Sequence, residues 1–280
     1  MARPIFFLSD YGTSDPYLGV VRAVLARLAP ESPVHDLGHT LPAFDGEAAR
    51  LHLAETAPWL PDGAVVLVAV DPGGARRPLA LRAEAPDGRT VHGVGPEGAP
   101  FASWLAPARP PYGCDLRVAE AAIVERSRDP ELPAGPGLGF DGRDRFAPAA
   151  ARLARGEPLA VVGRPVDPSG LAAPEPPPLL RDGADVIGRI VRVDRFGNLI
   201  SDLPARDAPP PPWRAELAGV RLDGPVALFS DVAPGTPALY AGSSGTIEVA
   251  VREGNAAVRF GVGRGAKLRV GPGSPGPARS

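Results

Sequence analysis

Three aspartates close apolar runs in the first part of the chain: Asp10 in LSDYG, Asp36 in PVHDLG and Asp71 in VLVAVDPG. An ionised carboxylate is a two-oxygen acceptor and a base, so such residues can hold donor groups of a ligand or take up a proton. A further cluster, Asp141 to Arg145 in GFDGRDRF, is charged at every position except Gly142. It stands just ahead of an Ala-rich run opened by Pro148 and closed by Gly156. Two readings of that cluster are open. Aspartate before a helix is a preferred cap and suits the positive end of the helix dipole. Alternatively, the charges rim an active site. Aspartate is also common where strands give way to turns.

Stepping along the elements, PIFFLSD reads as a buried strand, PYLGVVRAVLARLAP as an amphipathic helix and PVHDLG as a second strand. FDGEAARLHLAETAPWL is another helix, GAVVLVAVDPG an apolar strand, and Pro86-Asp87-Gly88 the turn of a hairpin. Strands alternating with helices predict a parallel or mixed sheet covered by helices, with ligands beyond the carboxyl ends of the strands. Asp10, Asp36 and Asp71 are each expected at such an end. After Arg164 the pattern changes. RPVDPSGLAAPEPPPLLRDGAD is Pro-rich and aperiodic, and short β runs follow: VIGRIVRVD, NLISDL, RAELAGVRL, ALFSDV, TIEVAVRE and AVRFGVG. These predict a small β-barrel or sandwich. The expected domains are residues 1–165, a linker at 166–185, and residues 186–280, and a cleft between two domains is a frequent ligand site.

Composition narrows the function classes. The 280 residues are 44% hydrophobic and 22% charged, with a net charge of -2. That balance suits globular domains and gives no basic footprint for nucleic acid. No apolar run has the roughly 18 residues of a membrane span, and the first apolar run is too short for a signal peptide. With Cys114 as its one cysteine, the chain has no internal disulfide, and a cytoplasmic protein is expected. The histidines His35, His39, His52 and His92 lack the spacing of a metal pair, and His52 reads as a packing residue on a helix. Lys267 is the one lysine, so neither a phosphate-loop lysine nor a Schiff base elsewhere is available. GPGLGF and GVGRG do not follow a strand and open a helix, so neither is read as a dinucleotide loop.

Taken in order, LSDYGTSDPYLGVVRAVL, VHDLGHTLPAFDGEAARLHL, VAVDPGGARRPLAL, VGPEGAPF, FDGRDRFAPAAARLARG, VDRFGNLISDL and YAGSSGTIEVAVREGNAA resemble one family, the S-adenosylmethionine hydrolases. These SAM hydroxide adenosyltransferases are relatives of the fluorinating and chlorinating enzymes acting on the same substrate. The resemblance covers residues 4 to 258. It implies an N-terminal α/β domain with a mostly parallel sheet, then a small C-terminal β-barrel. It also implies a homotrimer whose substrate lies between the N-terminal domain of one subunit and the C-terminal domain of the next. S-adenosyl-L-methionine is then the substrate, with no further cofactor and no metal.

Carried over residue by residue, the resemblance makes Asp10 the acceptor of both ribose hydroxyls and places Asp15 and Asp194 near the methionine ammonium. Asn198 holds the ligand from the β domain, while Ser243, Ser244, Asn255 and Ala256 clamp adenine and methionine. Tight turns are the structural alternative for RFGN and GSSG. The implied reaction is attack of water on the ribose 5′ carbon, with methionine leaving. Asp71 and Arg76 match the family's catalytic Asp and Arg, with Arg77 the near alternative for the latter. Asp141 stands where family members usually have a catalytic histidine in His-Gly-Arg-Asp, and is expected to serve as base with Arg76 or Arg143 as its cation. The loop after Asp71 is shorter than the common pattern, and Glu97-Gly98 replaces a usual Asp-Asn pair. These departures surround the water site. They leave hydrolysis, or binding without turnover, as the two outcomes. Halogenation is disfavoured because Asp71 would repel a halide.

Overall fold

The computed structural model describes residues 2–71, 73, 76–105, 115–133, 139–171 and 178–274. The chain forms two compact units, Met1–Glu175 and Pro176–Ser280.

The first unit is built on a seven-stranded mixed sheet. Strands β1 (Ile5–Ser9), β2 (Val34–Gly38), β3 (Val65–Ala69) and β5 (Thr90–Pro96) run parallel in the order β2-β1-β3-β5. The antiparallel strands β4 (Pro78–Glu84), β6 (Arg117–Val124) and β7 (Gly163–Val166) complete it. Every residue of β3, VVLVA, is buried. A continuous apolar run is what a strand covered on both faces requires.

Helix α1 (Tyr17–Leu28) buries Leu18, Val21, Val24, Leu25 and Leu28, a stripe at helical spacing. That stripe shares a core with Ile5, Phe7 and Leu67 of the sheet and with helix α4 (Ala147–Ala154). On the other face Leu8, Val66 and Val68 pack with Leu53 of helix α2 (Gly46–Thr56) and with Phe101 and Trp104. Residues of opposite parity in β1 and β3 thus feed opposite cores, as the pleat demands. The carboxyl ends of the parallel strands are left facing one edge, and β1 and β3 are in register there, Ser9 opposite Ala69.

The second unit is a small eight-stranded barrel. Its strands are β8 (Leu180–Asp182), β9 (Asp185–Val193), β10 (Leu199–Pro204), β11 (Trp213–Leu217), β12 (Val220–Gly224), β13 (Pro237–Ala241), β14 (Thr246–Val251) and β15 (Lys267–Pro272). The order is β12-β11-β15-β9-β10-β14-β13, with β8 beside β9. Val226 N–H donates to the Leu239 carbonyl at 2.9 Å, bringing the two ends of that order together. The inward alternation of Trp213, Ala215 and Leu217 meets Leu199, Ile247 and Val270 in one core.

Two expected strands are helical. ALFSDV holds a short 3-10 turn, Phe229–Asp231, in which Asp231 caps the Leu228 N–H at 2.9 Å. AVRFGVG holds helix α6 (Ala256–Phe260), started by the Asn255 side chain and stopped by Gly261 in the left-handed region. RAELAGVRL divides into β11 and β12, and PALYA and the segment from Lys267 are strands without a sequence-based expectation. Cys114 and residues 172–177 of the Pro-rich stretch lie outside the described residues.

Candidate active site

At the strand edge of the first unit, Asp10 follows β1, and its N–H donates to the carbonyl of Ala69 at 3.4 Å. Its Oδ2 accepts the N–H of Phe44 at 2.8 Å. Phe44 has φ +63, a left-handed conformation unusual for a bulky residue, and its ring is exposed. Just after it, Asp45 caps α2 through the Ala48 N–H at 3.0 Å. The strained turn therefore fixes Asp10 and starts the helix together. Partial burial raises the Asp10 pKa; the Phe44 N–H opposes that rise and the nearby Asp71 carboxylate adds to it.

Asp71 follows β3, the strand beside β1. Its Oδ1 accepts the Gly73 N–H at 3.0 Å, an Asx turn that leaves Oδ2 without a partner among the described residues. Pro72, Gly74 and Ala75, which make up most of the shortened loop, lie outside the described residues.

Of the two arginines beyond that loop, Arg77 is engaged. It forms a fork with buried Glu97 and donates to the Gly170 carbonyl at 3.1 Å. Arg76 is exposed, and among the described residues it donates only a long 3.4 Å bond to the Gly73 carbonyl. Its guanidinium lies so close to Gly98 that a Cβ there would stand 3.3 Å from Nη1. Glu97-Gly98 thus has a physical role: the glutamate occupies Arg77 and the glycine leaves room for Arg76.

Asp141 precedes a single π turn, Gly142–Phe146, that runs into α4. Such turns recur at functional sites. Its side chain makes no cap hydrogen bond. Instead Arg145 Nε donates to Asp141 Oδ1 at 2.9 Å while Arg145 Nη1 holds the Val124 carbonyl at 3.1 Å. Of the two expected cations, Arg76 and Arg143, the latter is turned to Asp144 at 2.6 Å, which also pairs with Arg126. Arg145 replaces it because i,i+4 neighbours share a helical face whereas Arg143, two residues on, points elsewhere.

Tyr11, which sequence reasoning passed over, joins these groups. Its phenol is half-buried and feels the carboxylates of Asp10, Asp141 and Asp71, all of which, with burial first, push its pKa up. The ring contacts Phe7, Tyr17 and Phe140, with centroids 6.5, 5.8 and 5.8 Å away. Asp10 and Asp71 thus follow adjacent strands, and the Tyr11 hydroxyl lies against Gly142, the residue after Asp141. Asp15 is exposed in the bend before α1, and among the described residues its side chain makes no hydrogen bond to these groups.

Asp36 is the exception to the strand-end pattern. It lies inside β2 opposite Phe7, and its carboxylate pairs with Arg22 and, at 3.0 Å, with His39. Against a desolvation that acts the other way, the hydrogen bonds from Arg22 and His39 hold its pKa below the usual carboxylate range. His39 is buried and its Nδ1 lies 2.7 Å from Ser9 Oγ, while its carbonyl accepts the Gly12 N–H at 2.6 Å. The pair braces the turn that carries Asp10 and Tyr11. His52 Nε2 lies 2.9 Å from the Leu37 carbonyl, the packing position expected of it.

In the second unit, Asp194 Oδ1 accepts the N–H groups of Phe196 and Asn198 at 2.9 and 2.8 Å, and Oδ2 accepts Asn198 Nδ2 at 2.9 Å. The Asn255 side chain covers Gly197, where a Cβ would stand 2.1 Å from the amide carbon, and caps α6 at Val258 N–H. Gly197 has φ +85, so this close approach and this turn both need glycine. Asp194, Asn198, Asn255 and buried Ala256 therefore form one cluster. Ser243 and Ser244 lie in the β13–β14 turn, Ser244 Oγ being 3.2 Å from Thr246 Oγ1. Tyr240, another residue without a sequence signal, donates to Glu248 at 3.0 Å, and its pKa is raised by burial, by Glu248 and by Asp194.

Comparison with known proteins identifies the family of both units. Residues 5–163 match the SAM hydroxide adenosyltransferase N-terminal domain, and residues 188–269 match the C-terminal domain of the same family. A Thermus thermophilus protein named (R)-S-adenosyl-L-methionine hydrolase is 41% identical over 96% of this chain and 99% of its own. A Salinispora tropica protein of the same name is 39% identical over 95% of this chain and 97% of its own. A fluorinase of an Actinoplanes species is 28% identical over 88% of this chain and 90% of its own. Among solved structures, an uncharacterized conserved protein of Thermotoga maritima superposes with a TM-score of 0.80 at 26% identity, covering 95% of this chain and 99% of that one. Among the described residues, no helix is long and apolar enough to cross a membrane, and no group of His, Cys, Asp and Glu could hold a metal ion.

Proposed function

The chain belongs to the SAM hydroxide adenosyltransferase family, and from that membership we infer that it hydrolyses S-adenosyl-L-methionine to adenosine and L-methionine. The observation that carries this reading is the placing of Asp10 and Asp71 at the carboxyl ends of adjacent parallel strands, with the Tyr11 hydroxyl against the turn that follows Asp141. The relatives named as hydrolases support it by matching nearly the whole chain.

The chemistry follows from the groups present. Asp10, held by Phe44, accepts the ribose hydroxyls and fixes the 5′ carbon near Asp71. Water has a pKa near 15.7 and needs both orientation and a proton acceptor. Asp71 takes that proton as the water oxygen bonds to the 5′ carbon, and the carbon–sulfur pair of electrons stays on methionine. The sulfonium charge fades along this path, so a site poor in water favours the transition state over the bound substrate. Asp141, oriented by Arg145, is a second acceptor for the water, and Arg76 offers the cation that steadies these carboxylates. From the second unit, Asp194 meets the methionine ammonium, while Asn198, Ser243, Ser244, Asn255 and Ala256 hold the rest of the ligand, with Asp15 on the first unit at the methionine end.

The family resemblance supports a cytoplasmic homotrimer with each site shared by neighbouring subunits. Light scattering should give three times the chain mass, and a monomer at micromolar concentration would overturn the shared site. The decisive assay is incubation with S-adenosyl-L-methionine and chromatography of the products. Adenosine and methionine should appear in equal amounts. Binding without adenosine would overturn hydrolysis, and a 5′-halo product in halide buffer would mark a halogenase.

A further inference from the structure

Gly142 is the point at which the turn after Asp141 meets Tyr11. A Cβ built on Gly142 would stand 2.3 Å from Tyr11 Oη, so the hydroxyl lies directly against the backbone that follows Asp141. The phenol cannot easily point elsewhere. Phe7 and Phe140 meet its ring edge to face, Tyr17 tilts against it, and Phe140 and Tyr17 are themselves in contact with centroids 5.3 Å apart. Its backbone N–H reaches Ser9 Oγ at 3.4 Å, and the next N–H is held by His39. Despite this fixation, Tyr11 Oη has no hydrogen-bond partner among the described residues.

The three neighbouring carboxylates can only accept when ionised, whereas a phenol both accepts and donates. Burial and those carboxylates oppose its ionisation, so the hydroxyl keeps its proton throughout. Arg145 holds one oxygen of Asp141 and leaves the other to accept.

We propose that Tyr11 is a catalytic residue that holds the attacking water: its Oη donates to the water oxygen, while Asp71 and Asp141 accept the water's two hydrogens. Asp71 takes its hydrogen as the bond to the 5′ carbon forms and the carbon–sulfur bond breaks. The phenol ends the step as it began, neutral. This assignment rests on the hydrolase reading above.

Tyr11→Phe retains the ring contacts and removes only the hydroxyl. With S-adenosyl-L-methionine as substrate, kcat should fall by about 10–100-fold, the effect of one hydrogen bond to a charged or reacting group. KM, adenosine affinity and thermal midpoint should stay near their wild-type values. Gly142→Ala, which displaces the hydroxyl without removing it, should lower kcat as well, and Tyr11→Phe added to it should cost little more. A wild-type kcat in Tyr11→Phe would overturn the proposal. So would a loss shared equally by adenosine affinity and stability, or losses that multiply in the double variant. Wild-type protein that releases no adenosine would overturn the hydrolase reading and this one with it.

Discussion

Arg145 and Asp141 form an ion pair across one turn of helix, Nε to Oδ1 at 2.9 Å, and the same guanidinium grips the carbonyl of Val124 at the end of β6. The arginine thereby ties a site carboxylate to the sheet. A carboxylate held this way is oriented without being buried, since half of the Asp141 side chain remains exposed. The exposed pair contributes about 0–1 kcal/mol to stability, so its effect should be on rate. Asp141→Asn keeps the size and loses the charge, and adenosine formation should drop by roughly 10²–10⁴-fold, the range for a lost acid–base group. The thermal midpoint should hardly move. Equal rates in the two proteins would remove Asp141 from the reaction.

A second expectation concerns acid stability. His92 in β5 is buried, with Arg3 and Arg82 nearby, and burial and those cations lower its pKa from 6.5 to about 4. The unfolded chain therefore binds a proton between those two values that the folded chain refuses. Stability from this group is complete above pH 6.5 and is lost as pH falls towards 4. Thermal midpoints followed over that range should decline, and His92→Leu should flatten the decline. An unchanged slope would place the acid sensitivity elsewhere.

Much of this architecture is legible in the chain because it rests on periodicity. The apolar run of β3 and the stripe of α1 have one compatible burial each, and they fix where Asp10 and Asp71 end up. Legibility fails where tertiary contact decides. AVRFGVG is apolar enough for a strand, yet the Asn255 cap and Gly261 make a helix of it. Asp36 has the sequence context of a strand end, but Arg22 and His39 retain it within β2. Tyr11 and Phe44 carry no local signal at all. One is recruited by a turn 130 residues further along, the other by a left-handed backbone that nothing in LPAFDGE announces.

In the second unit, the contact between Gly197 and Asn255 joins two segments that each look like ordinary turns. Gly197→Ala would place a Cβ within 2.1 Å of the Asn255 amide carbon at φ +85. The backbone conformation alone costs about 1–2 kcal/mol, and displacing Asn255 from α6 costs about 1 kcal/mol more. A lower thermal midpoint should accompany a higher KM for S-adenosyl-L-methionine. A normal KM in folded variant protein would take this cluster out of the ligand clamp.

Asp10 should show function and stability pulling in opposite directions. Its carboxylate is partly desolvated and faces Asp71, so ionising it in the folded protein is unfavourable and its pKa is raised. Between its ordinary and raised values the folded chain holds more protons than the unfolded one, and stability falls as pH rises through that window. Asp10→Asn removes the charge but can still accept the Phe44 N–H, so its thermal midpoint at neutral pH should lie above the wild-type value. The ribose hydroxyls, however, need two acceptor oxygens, and an amide offers one. Adenosine affinity in Asp10→Asn should fall by about tenfold or more, the effect of an unmet hydrogen bond. Wild-type affinity should also weaken as pH falls through the raised Asp10 pKa, a dependence the Asn variant lacks. Calorimetric titration of adenosine at several pH values, paired with melting curves, measures both effects. A variant that binds adenosine as tightly as wild type would end the ribose assignment, and one that is less stable at neutral pH would show that the carboxylate is not strained by its burial.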